Sequence, residues 1–237
     1  MDQPFGKLYL IPCTLGETAP LEVLPLLVKK AVEEIDYYIA EHEKNARAFI
    51  KSIVPRKPQP DLQFSIINKF TDNSEIPNML QPCLNGLDVG VISDAGCPGI
   101  ADPGANVVAE AHRLGVKVVP LVGPSSILLA MMASGFNGQN FAFNGYLPID
   151  KRERRLEIKR LERLSADIDQ SQLFIETPYR NNQMLESLIS VLQPQTNLCV
   201  ACDITLPTEY ILTQTAAEWK HTKVDLNKRP ALFIVQK

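Results

Sequence analysis

The pattern of apolar and polar positions predicts strands and helices that alternate along most of the chain. The clearest unit begins with a buried strand at 89–92, continues through a loop rich in Gly and Pro to a helix at 105–114, and ends with a strand at 116–121. Gly115 follows the helix where a left-handed cap is favoured. This strand, helix, strand series predicts a parallel sheet.

The same periodicity predicts the other elements. In the first half we expect strands at 7–11, 37–40 and 65–68 and helices at 21–32 and 41–51. In the second half, a further series resembling strand, helix, strand predicts helices at 127–134, 151–164 and 181–191 and strands at 141–147, 173–176, 198–204, 209–212 and 231–235. We therefore predict an α/β fold with two α/β domains, 1–120 and 121–237.

Composition and charge exclude several classes of protein. Hydrophobic residues make up 45% and charged residues 22% of the 237 positions, which excludes intrinsic disorder. The net charge of −3 indicates that any contact with RNA is a local patch. Five scattered cysteines, an odd number, predict a reducing, cytoplasmic location. The uncharged stretch 118–149 is interrupted by prolines and glycines, so we expect no membrane segment.

The loop at 93–104, Ser-Asp-Ala-Gly-Cys-Pro-Gly-Ile-Ala-Asp-Pro-Gly, is the best candidate for a binding site. It follows a buried strand and precedes a helix, where open α/β sheets bind their ligands. Its three glycines allow the backbone to approach a ligand closely. It matches neither the ATPase nor the dinucleotide phosphate loop. A plain strand-to-helix turn is an equally open interpretation.

Basic residues are concentrated at 150–164, where seven Lys or Arg accompany four Asp or Glu. One interpretation is an RNA-binding patch on a helix. The alternative is a solvated face with Leu156, Leu161 and Leu164 buried beneath it. The residues proposed for RNA are Lys151, Arg152, Arg154, Arg155 and Lys159.

Cys199 and Cys202 match half of a redox or zinc motif. They lie in a predicted strand, where positions three apart point to opposite faces, and no second pair accompanies them. We therefore predict no metal site and interpret both as small buried hydrophobes. The pair Met131 and Met132 is likewise predicted to lie in the core.

Six segments occur in the order and spacing of one known family: Leu8-Tyr-Leu-Ile-Pro12, the 93–104 loop, Val118-Val-Pro-Leu-Val-Gly-Pro-Ser-Ser126, Ala133-Ser-Gly135, Phe143-Asn-Gly-Tyr-Leu-Pro148 and Phe174-Ile-Glu-Thr-Pro-Tyr-Arg180. On these segments the chain resembles the tetrapyrrole methylase superfamily. Within it, the chain is most similar to the branch of the 16S ribosomal RNA cytidine 2′-O-methyltransferases.

The resemblance implies a homodimer of two-domain α/β chains that binds S-adenosylmethionine in a cleft between its halves, with no metal. It implies methyl transfer to a ribose of small-subunit ribosomal RNA. Carried over by position, the residues expected to contact the methyl donor are Pro12, Leu15, Gly96, Cys97, Ile100, Ser125, Ser126, Thr177, Leu206, Pro230 and Ala231.

Departures from the branch affect the acceptor more than the donor. A Pro-Thr-Pro-Ile-Gly-Asn-like loop is replaced by Pro-Cys-Thr-Leu-Gly-Glu at 12–17, and a Glu-Asp-Thr-Arg-like segment by Glu-His-Glu-Lys at 41–44. An Arg-Glu-Leu-Thr-Lys-like segment loses both basic residues at 202–206, and Gly-Glu becomes Arg-Pro at 229–230. Two alternatives therefore stay open: methylation of a small molecule such as a tetrapyrrole, and a non-catalytic binding module.

A ribose hydroxyl is a poor nucleophile at neutral pH and benefits from a positioned base. By residue type and loop position the candidates are Glu41, His42 and Asp94, although His42 between two glutamates also suits an ordinary surface position. We expect Gly96→Val to abolish donor binding and to leave the fold intact, because the added side chain would occupy the ligand's space.

Overall fold

The computed structural model describes residues 5–237. The chain divides into two compact units, Met1–Ser125 (unit 1) and Ser126–Lys237 (unit 2). Each unit is built on its own five-stranded sheet. The predicted α/β class is therefore confirmed.

Unit 1 contains a parallel sheet in the strand order β3-β2-β4-β1-β5. Its strands are β1 (Lys7–Ile11), β2 (Tyr37–Ala40), β3 (Gln63–Ile66), β4 (Val89–Ile92) and β5 (Lys117–Pro120). Its helices are α1 (Pro20–Val23), α2 (Leu26–Glu34), α3 (Glu43–Ile53), α4 (Ile76–Met79), α5 (Gln81–Leu84) and α6 (Ala105–Arg113). Strands β4 and β5 lie on either side of β1 and both pair with it in parallel, so the predicted parallel unit is confirmed.

Helices cover both faces of this sheet, as parallel sheets require. Neighbouring residues of β2 show it: Tyr38 packs in the cluster that contains residues of α2 and α3, whereas Ile39 packs in the cluster that contains Val107 of α6. The side chains of Tyr38 and Ile39 are both almost fully buried. The alternation of strand side chains thus divides the core of unit 1 into two layers.

Three predictions for unit 1 need correction. The single helix at 21–32 is wrong, because the helix breaks at Leu24 and restarts after Pro25, which lacks the N–H and occupies the N-cap of α2. The third strand lies two residues earlier than predicted. The sequence pattern also missed the short helices α4 and α5, each of which has a proline in its first turn.

Unit 2 contains a mixed sheet in the order β6-β7-β10-β8-β9. Its strands are β6 (Phe141–Tyr146), β7 (Ser171–Ile175), β8 (Asn197–Cys202), β9 (Tyr210–Thr215) and β10 (Ala231–Gln236). Its helices are α7 (Ser126–Ser134), α8 (Lys151–Ile168), α9 (Asn181–Val191) and α10 (Ala216–Trp219). Among these strands only β6 and β7 pair in parallel, so a repeat of the parallel pattern of unit 1 is wrong here.

Packing in unit 2 overturns one predicted core residue and one residue that the solvated-face interpretation of α8 would bury. Met131 is buried as predicted, but Met132 is 78% exposed on α7. Leu156 is 62% exposed on α8, whereas Leu161 is buried. A helix turns by about 100° per residue, so adjacent apolar residues such as the two methionines cannot both face the same side.

The cysteines are all free thiols, and Cys199 and Cys202 lie fully buried in β8 as predicted. Burial, followed by the charge of Asp203, raises the pKa of the Cys202 thiol to about 11. Within residues 5–237 no group of three or more His, Cys, Asp or Glu is arranged to hold a metal ion. No helix in that range has the length and apolar character needed to cross a membrane.

Candidate active site

The loops that follow β1 and β4 leave the sheet of unit 1 in opposite directions. After β1 the chain continues into α2, whose Val28 belongs to one core layer, and after β4 it continues into α6, whose Val107 belongs to the other. The two strands are parallel neighbours. A crevice therefore opens beyond their carboxyl ends, at the position where open α/β sheets bind ligands.

Backbone hydrogen bonding joins these two loops. The N–H of Cys13 donates to the carbonyl of Gly96 at 2.9 Å, which forms an isolated antiparallel bridge. A Cβ atom on Gly96 would lie 3.1 Å from Cδ2 of Leu15. This bridge brings together three residues that are predicted to contact the donor: Pro12, Leu15 and Gly96.

The loop after β5 packs against both of the others. A Cβ atom on Gly123 would lie only 2.2 Å from Cγ of Pro12, so the close approach requires glycine. The thiol of Cys97 lies 3.4 Å from the carbonyl oxygen of Pro124. Ser125 follows this contact directly, so the predicted donor residues of three loops lie at the same edge of the sheet.

The 93–104 loop holds an unusual run of left-handed backbone conformations. Gly96, Gly99 and Gly104 have φ values of 69°, 75° and 132°, and Ala101 has φ 61°. An alanine in this region costs about 1 kcal/mol relative to glycine. The φ of Gly96 adds a second effect to the expected result for Gly96→Val: a β-branched residue is strained there, so the variant should also lose stability.

A histidine and an aspartate predicted as candidate bases are in direct contact. Nδ1 of His42 lies 2.7 Å from Oδ2 of Asp94, and the amide of Asn45 donates to the same oxygen at 3.1 Å. The His42 side chain is 66% exposed and immediately precedes α3. The interaction joins the loops after β2 and β4.

Two further carboxyl groups accompany this pair. Burial raises the pKa of Glu41, the charges of Asp102 and Asp94 raise it further, and His42 lowers it. Burial also raises the pKa of Asp102, against the lowering effect of the Ser93 hydroxyl, which donates to Asp102 at 2.6 Å. The sequence pattern did not single out Asp102 as a candidate base; its place beside Ser93 depends on the loop conformation.

Unit 2 brings together four of the predicted donor residues at one edge of its sheet. Thr177 follows the end of β7, Leu206 follows β8, and Pro230 and Ala231 lie at the start of β10. The N–H of Asp203 donates to the carbonyl of Pro230 at 2.9 Å, and the N–H of Leu206 donates to that of Asp203. Antiparallel pairing of β10 with both β7 and β8 places these strand ends side by side.

Buried polar atoms without partners surround this edge. Among residues 5–237 they include Oε2 of Glu176, Oδ1 of Asn181 and Oγ1 of Thr205. The other oxygen of Glu176 accepts from the guanidinium of Arg180 at 2.6 Å. Buried acceptors without partners are rare and costly in folded proteins, and a bound water, an ion or a functional role can account for them. Glu176 and Arg180 were recognised in the sequence only as part of a longer motif.

The altered C-terminal segments form an ion pair. Nε of Arg229 donates to Oδ2 of Asp203 at 2.8 Å, and the carbonyl of Arg229 accepts from Asn181 at 2.6 Å. Arg229 thus stands beside the predicted donor residue Pro230 and neutralises an acid at the end of β8.

Sequence comparison assigns the chain to a family. The family model of the Tetrapyrrole (Corrin/Porphyrin) Methylases matches residues 15–220. The chain belongs to this family. As a tetrapyrrole methylase it is a methyltransferase, and S-adenosylmethionine is the methyl donor that membership implies.

The relatives of this tetrapyrrole methylase include several bacterial proteins with one name. It is 35% identical to "Ribosomal RNA small subunit methyltransferase I" of Leptospira borgpetersenii over 79% of this chain and 69% of the relative. It is 32% identical to the protein of the same name from Thermotoga maritima over 79% of this chain and 78% of the relative. The resemblance found in the motifs is therefore confirmed.

Solved structures with the same fold are themselves methyltransferases. The methyltransferase CobJ matches with a TM-score of 0.64 and 19% identity, covering 98% of this chain and 94% of CobJ. A uroporphyrin-III C-methyltransferase from Thermus thermophilus, complexed with S-adenosyl homocysteine, matches with a TM-score of 0.58 and 17% identity, covering 98% of each chain. At these identities the match establishes the fold of the tetrapyrrole methylase.

Proposed function

We propose that this tetrapyrrole methylase transfers a methyl group from S-adenosylmethionine to a ribose 2′-hydroxyl of small-subunit ribosomal RNA. One observation supports this choice of methyl acceptor. Relatives at 32% and 35% identity, matched over 79% of this chain, are named as methyltransferases of that RNA. The contact between His42 and Asp94 supplies the chemistry that a hydroxyl acceptor needs.

The loops of unit 1 suit the donor because their backbone is open. Gly96 and Gly123 present no side chain where the three loops meet, and Pro12 fills the space beside Gly123. The residues proposed to bind the donor from these loops and the start of α7 are Pro12, Leu15, Gly96, Cys97, Ile100, Ser125 and Ser126.

Unit 2 supplies acceptors that fit a nucleoside and an amino acid. Oε2 of Glu176 and Oδ1 of Asn181 are buried without partners, and both can accept N–H groups such as those of adenine or an α-amino group. The residues proposed to bind the donor from this unit are Thr177, Leu206, Pro230 and Ala231.

When bound, the donor supplies a methyl group on a positively charged sulfur, which keeps the electron pair of the broken bond and becomes a neutral thioether. His42 accepts the proton of the attacking hydroxyl at the ring nitrogen that is not engaged with Asp94. Asp94 fixes the tautomer by accepting from Nδ1, and Asn45 holds Asp94 in place. Positioning of the two reactants supplies the rest of the rate enhancement.

The RNA is proposed to contact the basic surface of α8. Lys151, Arg152, Arg155 and Lys159 are exposed as that assignment requires. Arg154 differs from these four because it is only 2% exposed. Arg154 lies on the side of α8 that packs against α9.

We also propose that the active form is a cytoplasmic homodimer. The free cysteines suit a reducing compartment. Helix α7 exposes Leu128 and Met132, which are apolar side chains that a second copy would cover. Sedimentation of the purified protein over a range of concentrations tests the dimer, and a strictly monomeric species would contradict it.

Donor binding is tested by calorimetric titration with S-adenosylmethionine and with S-adenosylhomocysteine. We expect micromolar affinity for both, on the order of −8 kcal/mol. Absence of binding to either compound would indicate a non-catalytic binding module.

The acceptor is tested by incubating the protein and labelled donor with small ribosomal subunits that lack the modification. We expect label in the RNA, at a ribose that resists alkaline cleavage. His42→Ala should reduce the rate at least tenfold, and His112→Ala, which removes an exposed histidine of α6, should leave it unchanged. Transfer to uroporphyrinogen III in place of the subunit would favour a small-molecule acceptor.

A further inference from the structure

A groove runs between the N-terminal half of α8 and helix α9, with a volume of about 630 Å³. Four cationic residues of α8 line it: Lys151, Arg152, Arg154 and Arg155. Across from them α9 contributes the hydroxyls of Ser187 and Ser190 and the amide of Gln183. Glu186 is the one acidic residue among the described residues that line the groove. The lining therefore carries a strong excess of positive charge.

Arg154 is buried in this groove without an acidic partner. It is 2% exposed, and the one hydrogen bond of its side chain within residues 5–237 runs from Nη1 to the carbonyl oxygen of Ile149 at 3.3 Å. A guanidinium has five N–H donors. Burial of a charge is costly unless an opposite charge or hydrogen-bond acceptors compensate for it. The guanidinium thus retains donors for an anion that enters the groove.

The C-terminal part of the same helix shows that α8 can neutralise its own arginines. Arg160 pairs with Glu157 at 2.7 Å, and Arg163 pairs with Asp167 at 3.4 Å. Within the described chain, none of the four cations that line the groove forms such a pair. All four cations of α8 that line the groove are therefore without an acidic partner among the described residues, whereas Arg160 and Arg163 outside it are paired.

We propose that the groove between α8 and α9 binds phosphate groups of the RNA backbone, with the buried guanidinium of Arg154 as its fixed donor. Lys151, Arg152 and Arg155 contact the same or adjacent phosphates from the solvent side. This inference rests on the proposed RNA substrate and extends it to a specific binding site. The serine hydroxyls of α9, which now donate to backbone carbonyls of their own helix, can turn toward the ligand.

The arrangement favours a phosphodiester over other anions. Guanidinium groups match the paired oxygens of a phosphate, and several of them along one helix suit a polymer with regularly spaced charges. Backbone N–H groups at the start of α8 do not take part, because the carboxylate of Asp150 accepts from Arg152 and Glu153 at 2.9 Å. Side chains alone define the site.

The test compares two double variants by fluorescence anisotropy with a labelled single-stranded RNA. Arg152→Ala with Arg155→Ala removes two cations from the groove. Arg160→Ala with Arg163→Ala removes the same charge from the same helix outside it. We expect the first pair to weaken RNA binding on the order of tenfold and to reduce the slope of log Kd against log salt by about 1.4, which is about 0.7 for each cation removed. The second pair should change the affinity less than twofold.

Two single variants test the buried residue. Arg154→Met keeps the apolar stem and should weaken RNA binding, whereas Arg154→Lys keeps the charge and should restore part of the affinity. If Arg154 were only structural, Arg154→Met would change thermal stability and not RNA affinity. Donor binding, measured by calorimetry, should be the same in all these variants.

Several outcomes would overturn the proposal. The proposal would be wrong if the two double variants bound RNA with equal affinity. It would also be wrong if the unmodified protein did not bind RNA. Competition by a polyglutamate peptide as effective as unlabelled RNA would show that the groove recognises carboxylates instead. If RNA binds through the groove but small subunits are never methylated, the proposed function fails and the groove assignment stands.

Discussion

Nδ1 of His42 lies 2.7 Å from Oδ2 of Asp94, although the two residues are 52 positions apart in the chain. The contact joins the loop after β2 to the loop after β4, at the edge of the sheet where the loops proposed to bind the donor also meet. A histidine whose first ring nitrogen is held by a carboxylate can use the second as a base. The pair is the most specific chemical feature of unit 1.

Asp94→Asn should lower the rate of methyl transfer on the order of tenfold to a hundredfold, because an amide does not select the required tautomer of His42. Donor affinity should stay unchanged, since the contact concerns the proton of the acceptor. Single-turnover transfer to small subunits measures the rate, and calorimetry measures donor affinity. An unaltered rate would remove His42 and Asp94 from the mechanism.

Gly123→Ala should weaken donor binding on the order of tenfold. The new Cβ would meet Pro12 at 2.2 Å, and the rigid ring cannot turn away, so the first and third loops must separate. The free energy of unfolding should fall by about 1–3 kcal/mol. Gly138→Ala, where nothing lies within 4 Å, is the matched control and should change neither quantity. Equal donor affinities in both variants would contradict the loop arrangement.

Gly96→Ala should cost more donor affinity than Gly115→Ala. Both glycines have left-handed φ values, 69° and 75°, so both variants carry a similar strain of about 1 kcal/mol. Only Gly96 has Leu15 within 3.1 Å of the added carbon, whereas nothing lies near Gly115. Calorimetric titration of both variants separates backbone strain from contact at the site. The placement of Gly96 in the site requires a difference between them.

Asp102→Asn should gain stability relative to the unmodified chain as pH rises above the ordinary pKa range of an aspartate. The pKa of Asp102 is raised in the folded state, chiefly by burial, so folding favours its neutral form. A raised carboxyl pKa adds stability at low pH that is lost as pH rises through the folded-state pKa. The amide avoids that loss and also removes a charge that raises the pKa of Glu41.

Urea unfolding at several pH values measures this effect. Asp61→Asn removes an exposed carboxylate of unit 1 and serves as the control. The difference between the two variants should grow toward neutral pH. A constant difference would show that burial of Asp102 carries no penalty for its charge.

Arg180→Ala should lower the free energy of unfolding by about 2–3 kcal/mol, because it leaves the carboxylate of Glu176 buried without its cation. The side chain of Glu176 is fully buried and accepts from Arg180 at 2.6 Å. Arg160→Ala removes an arginine from the exposed pair with Glu157 and should have little effect. Chemical denaturation of both variants compares them. Equal losses would mean that the buried pair adds nothing to stability.

Local signals in the sequence were sufficient for the strands at Lys7–Ile11, Tyr37–Ala40 and Val89–Ile92, whose predicted bounds agree with the structure. These strands are short apolar runs with clear breaks on either side. The order and spacing of the motifs were sufficient to identify the family. The pairing of β7 with β10 was not predicted, because antiparallel pairing depends on contacts between distant residues. The helix break at Pro25 was missed for a local reason, since a proline near the start of a helix is also compatible with an unbroken helix.

By itself, the sequence determined the α/β class, the glycine loop at 93–104 and the methyltransferase family, because each depends on residue type and local spacing. Tertiary structure alone decided that His42 meets Asp94 and that Arg154 is buried while its neighbour Arg155 is exposed. The physical reason is that a loop contact or a helix face exists only after strands and helices have packed. Arg154 and Arg155 are therefore identical side chains at adjacent positions of α8, one buried and the other exposed.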